Sequence, residues 1–147
     1  MKKLTIGAGI ACSLLLGVPL AALAGTNYGC DSVNFSPEVM EKMPNAKRLC
    51  RGLTEKNDGV YVHYVAKVVS STADAVTVDL LDKDEKAVTR VTFTPAADQT
   101  VTMDNKKVKY KEAKPGQKLD FYIEASRWGL FSNPGDPVMK VTKVEAL

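Results

Sequence analysis

A catalytic centre has few places to form in this sequence. One histidine, His63, occurs in 147 residues, and it lies in a run that reads as strand, where a half-exposed structural histidine is expected rather than a Ser-His-Asp base. No G-x-S-x-G, H-E-x-x-H, P-loop or dinucleotide fingerprint is present. None of the 3 cysteines forms a C-x-x-C pair, which counts against redox and metal-thiolate chemistry. Carboxylates cluster only at Asp82, Asp84 and Glu85. Lys83 and Lys86 interrupt them, and the glycine and distal glutamate of an EF-hand loop are missing, so a solvated turn is expected there. Internal repeats and low-complexity tracts are also missing. The expectation is a protein that is not an enzyme and that holds no cofactor and no metal.

What the chain does have begins with a leader. Lys2 and Lys3 precede an uncharged stretch, Leu4 to Ala24, that contains Leu14-Leu15-Leu16 and ends in Ala22-Leu23-Ala24. A basic start, an apolar run and a small-residue site are the parts of a cleavable secretory signal. Pro19 interrupts the apolar helix just before that site. Residues 1–24 are therefore expected to be removed, with no membrane span in the mature chain and a periplasmic or secreted location. Cys30 falls too far past the cut to be a lipoprotein cysteine.

Cleavage changes the composition. Removing 24 of 147 residues leaves 123, one domain's worth of chain. Lys2 and Lys3 leave with the leader, so 18 of the 20 basic residues remain against 17 acidic ones, a net of +1. That balance gives no electrostatic footprint for an anionic membrane and implies no nucleic-acid partner. Cys12 leaves too. Cys30 and Cys50 remain, an even pair in an oxidising compartment, and a disulfide is expected.

The mature chain divides into residues 25–56, a disulfide-tethered helical segment, and residues 57–147, a β-barrel domain. In the first, Ser36-Pro37-Glu38 reads as a helix start: a cap, a first-position proline and an acid at the positive end of the dipole. Pro44 interrupts, Ala46–Arg51 forms a second turn, and Gly52 is expected to stop it. In the second, the hydrophobic period becomes two. Val60, Val62, Tyr64, Ala66 and Val68 line one face of the run from Val60 to Ser70. Strands follow over Ala75–Leu81, over Ala87–Thr94 with Ala87, Thr89, Val91 and Phe93 on one face, and over Lys118–Glu124. A hairpin over Thr100–Met103 and Val108–Tyr110 turns at Asp104-Asn105, and Lys114-Pro115-Gly116-Gln117 suits a type II turn. Residues 125–137 read as a long loop before a last strand, Val138–Val144. This makes a mainly β protein: a small antiparallel barrel, OB-like, of six to seven short strands behind a short N-terminal helical segment.

The succession Lys67-Val68-Val69, Val76-Thr77-Val78, Val91-Thr92-Phe93, Val101-Thr102-Met103-Asp104-Asn105-Lys106 and Lys114-Pro115-Gly116-Gln117-Lys118-Leu119 resembles small exported bacterial barrels of the OB type. The resemblance covers Val60 to Leu147. It implies a barrel and no particular activity. Periplasmic Cu(I)/Ag(I) chaperones belong to the same class, and by that resemblance His63, Met103, Trp128 and Met139 are candidate soft-metal ligands. Their spacing departs from the closely set methionines of those chaperones, and a metal role is the alternative reading.

The leading site candidate is the loop Arg127-Trp128-Gly129-Leu130-Phe131, where aromatic residues stand in a connection rich in glycine and proline. Loops on a rigid scaffold often carry function, and Trp and Arg are typical binding anchors. Arg127, Trp128 and Phe131 are expected to contact an envelope protein, peptide or glycan. Inhibition of an extracellular hydrolase is one concrete form of that role. The competing expectation is that Trp128 or Phe131 folds back to plug the barrel.

Overall fold

The computed structural model describes residues 29–56, 59–103 and 106–147. The leader expected at 1–24 and the Asp104-Asn105 turn lie outside the described residues. Nine strands are described: β1 (Gly52–Lys56), β2 (Gly59–Ser71), β3 (Val76–Leu81), β4 (Ala87–Thr94), β5 (Thr100–Met103), β6 (Lys106–Lys109), β7 (Lys118–Glu124), β8 (Leu130–Phe131) and β9 (Lys140–Ala146). Two short helices precede them, α1 (Pro37–Lys42) and α2 (Ala46–Leu49).

Strand β2 organises the rest. Its alternation buries Val62, Tyr64, Ala66 and Val68, while His63, Val65 and Lys67 take the opposite face. One edge carries β1 along 59–63 and then β3 along 65–71; the other carries β7 along 61–67. The main sheet runs β8-β7-β2-β3-β4-β9, antiparallel throughout. The result is a half-barrel whose ends meet at one bridge, where the Met139 N–H donates to the Leu130 carbonyl at 2.8 Å. Strands β5 and β6 form a separate ribbon that buries Val101 and Met103. Phe93 packs edge-on against Tyr110 and Phe121, with centroids 5.3 and 5.4 Å apart.

The helical segment closes over this core. The Ser36 hydroxyl accepts the Val39 N–H at 3.3 Å, with Pro37 at the first helical position. Val39, Met43, Ala46 and Leu49 are fully buried in the same cluster as Phe93 and Phe121. The Tyr64 hydroxyl donates to the Ala46 carbonyl at 3.0 Å, and the Cys30–Cys50 disulfide forms, with Cα atoms 5.7 Å apart.

Four local expectations change. Gly52 does not end a helix: Cys50 caps α2 and Gly52 opens β1. The sequence Gly-Leu-Thr-Glu-Lys has little alternation of its own, and the long β2 edge beside it supplies the pairing. Ala87 is exposed, because the register shifts between Leu80 and Leu81 opposite the start of β4. Residues 125–137 contain β8, a strand too short to show a period. The last strand is Lys140–Ala146, two residues later than expected. The Lys114–Gln117 turn does form, with Gly116 at φ +90 and Gln117 N–H on the Lys114 carbonyl at 3.1 Å.

Candidate functional site

The loop after β7 is built around a buried carboxylate. Glu124 ends the strand at 4% exposure. The Ser126 hydroxyl donates to its Oε1 at 2.6 Å, and the Arg127 Nε–H donates to its Oε2. A buried charge is tolerated only when it is paired in this way. Arg127 then lies over the Phe131 ring, 5.9 Å from its centroid, and Phe131 meets Tyr61 edge-on at 5.2 Å. These groups share the sheet face opposite the main core.

Phe131 is the enclosed member of this loop. It is 2% exposed, because two consecutive apolar residues in a strand point to opposite faces, and both faces are covered here. Leu130 enters the main core while Phe131 packs on Tyr61. Arg127 is exposed, but its guanidinium is committed to Glu124. Gly129 makes the tight path possible. A Cβ at that position would stand 2.7 Å from Val138 Cγ2 and 3.0 Å from Phe131 Cε2.

Trp128 takes a different place. Its backbone N–H donates to Glu38 Oε2 of α1 at 3.2 Å. Its side chain packs half-buried against the core and forms part of the wall of an open groove of about 480 Å³, with Glu41 and Lys42 of α1 and Val141, Thr142, Lys143 and Val144 of β9. Among the described residues β9 pairs along its length only with β4. The groove thus runs beside a sheet edge, with an indole and two valines for apolar contact and charges of both signs.

The other candidates occupy separate environments. His63 Nε2 lies 2.7 Å from Asp120 Oδ1, and its ring is 5.3 Å from that of Tyr122. Burial, and then the charge of Asp120, push the Tyr122 hydroxyl pKa up. Met103 and Met139 are buried in the core, and the Ser132 hydroxyl donates to Met139 Sδ at 3.7 Å. His63 stands apart from them on the outer face. No cluster of three or more His, Cys, Asp or Glu able to hold a metal occurs among the described residues.

Asp82 is a turn-builder. At 3% exposure, its carboxylate accepts from Arg48 at 2.7 Å and from the N–H groups of Asp84 and Lys86, each at 3.0 Å. The Arg48 bond, followed by that from Lys86, holds its pKa below the ordinary carboxylate range against the opposing effect of desolvation. Glu85, at φ 64, occupies the left-handed region that glycine usually fills. Its carboxylate reaches Lys118 and Arg51.

No protein-family model, no curated protein and no solved structure matches this chain. The site rests on its own geometry. Sequence reasoning missed the far wall of the Trp128 groove, because Glu41 and Lys42 lie about a hundred positions from Val141 and no local pattern links them.

Proposed function

We propose that this chain is an exported, non-enzymatic binding protein that contacts an envelope protein or peptide through the groove beside Trp128. The observation that carries this reading is the half-buried indole in the wall of a 480 Å³ groove along the outer side of β9. An aromatic anchor in a rigid concave surface contributes strongly to binding at little cost in conformational entropy. The strand edge beside it offers backbone donors and acceptors to an extended segment. Obstruction of an extracellular hydrolase is one form such binding could take. The expected cleavable leader and the disulfide support a setting outside the cytoplasm.

Trp128 is the chain's single tryptophan, so its fluorescence reports on this groove alone. Affinity capture from envelope extract is expected to retain a partner on the wild-type protein and to lose it with Trp128→Ala, and the captured partner is expected to shift the wild-type emission. Equal retention by the folded variant would remove the groove from the function.

A further inference from the structure

The cationic side chains fall into two populations. All four arginines are bound to carboxylates: Arg48 to Asp82, Arg51 to Glu85, Arg90 to Asp79 and Arg127 to Glu124. Lys106, Lys107, Lys109, Lys111 and Lys114 behave differently. They fill five of nine consecutive positions, all are exposed, and none forms an ion pair among the described residues, where the paired lysines are Lys118 and Lys143. The single acid of the stretch, Glu112, turns its Oε2 to the Lys109 backbone N–H at 3.3 Å.

The fold gathers these charges and fixes their base. Register places Lys107 opposite Thr102 and Lys109 opposite Thr100, so both lysines share the outward face of the β5–β6 ribbon, while Val101 and Val108 share the inward one, with Lys106 at the ribbon's end on that second side. Tyr110 and Ala113 are buried and pin the turn that carries Lys111 and Lys114. The Tyr110 hydroxyl pairs with the Ser132 hydroxyl at 2.6 Å, and the Tyr110 carbonyl accepts from the Ser71 hydroxyl at 2.6 Å. Residues 106–114 carry five lysines and one glutamate, a net of +4, whereas residues 25–147 together carry +1. The remainder is therefore net −3, and the charge is polarised toward the ribbon.

We propose that this lysine face is a docking surface for an anionic lipid bilayer. Charge complementarity carries the choice, and the residue types narrow it. Lysine ammonium groups are compact charges on flexible stems, suited to dispersed headgroups, whereas the planar fork of arginine suits one bidentate anion. Tyr110, the aromatic residue of the stretch, is buried, so the face has no stacking platform for single-stranded nucleic acid. No large apolar side chain is exposed there either. Docking is therefore electrostatic, without insertion, and strongly weakened by salt.

Vesicle sedimentation with the processed chain tests this. The probe is phosphatidylcholine vesicles with about 30% phosphatidylglycerol at about 0.1 M salt, against pure phosphatidylcholine. Binding is expected only to the anionic vesicles and is expected to vanish at about 1 M salt. A lysine near an anionic surface is worth about fivefold in partition, so the triple variant Lys107→Gln, Lys109→Gln, Lys111→Gln is expected to lose on the order of a hundredfold. A second triple variant, Lys47→Gln, Lys83→Gln, Lys86→Gln, removes the same net charge elsewhere and is expected to keep most of the binding. Equal losses in the two variants would reduce the effect to net charge and overturn the proposal. So would failure to bind anionic vesicles, including the case where soluble dextran sulfate is bound instead.

Discussion

Gly129 shows how one missing side chain shapes the candidate site. The space its Cβ would need is taken by Val138 and the Phe131 ring, so Gly129→Ala must displace one of them. We expect a loss of about 1–3 kcal/mol in urea unfolding, as for other overpacked positions, with a change in Trp128 emission from the adjoining residue. Asp82 sets a second test, through pH. Its folded pKa lies below the ordinary carboxylate value, chiefly because Arg48 and the Lys86 N–H favour the charged form. The stabilisation is therefore complete above about pH 4 and is lost as pH falls from there through the depressed folded value. Glu85 acts with the same sign, mainly through Lys118. Asp82→Asn is expected to lower Tm at neutral pH and to flatten the acid limb of a Tm–pH curve. Parallel curves for the two proteins would show that Asp82 contributes nothing to that limb.

At the level of elements, legibility followed periodicity. Strands β2, β4 and β7 could be read because buried residues recur at every second position, at 62–68, 89–93 and 119–123. Strand β8 could not, since two residues have no period, and β1 could not, since its pairing comes from its neighbour. Within the candidate site the Trp128 loop was readable from composition alone. Enclosure of Phe131 was an open alternative there, but its packing on Tyr61, seventy positions earlier in the chain, has no local pattern. The lysines of 106–114 were in plain view, but a near-zero total masked their grouping. The disulfide was legible from the count of cysteines, and its effect belongs to this scale. It joins the start of the helical segment to the end of α2 across a separation of 20 residues. Cys30→Ser with Cys50→Ser is expected to cost about 3 kcal/mol in denaturant unfolding, and wild-type protein in strong reductant should show the same loss.

Across the whole molecule, the helical segment and the sheet share one core. Val39, Met43, Ala46 and Leu49 belong to the cluster that holds Tyr64, Phe93 and Phe121, and the Tyr64 hydroxyl binds α2 directly. A single cooperative transition is therefore expected, with far-ultraviolet circular dichroism and Trp128 fluorescence tracing the same denaturant curve. Two separated midpoints would mean that the segment folds apart from the sheet. The same arrangement sets the two proposed surfaces on one rigid support: a groove walled by α1 and β9, and a lysine ribbon anchored through Tyr110.

The bridge between Leu130 and Met139 has a kinetic consequence. Most neighbouring strands are joined by several hydrogen bonds, but the two ends of the half-barrel meet at a single pair. Opening there breaks one backbone bond and leaves the β2 pairings intact. In deuterium exchange, the Met139 amide is therefore expected to label much faster than the amides of Val62, Tyr64 and Ala66, which are released only when the whole domain unfolds. A seam that breathes while its walls stay closed would give an arriving strand a place to enter without first melting the protein.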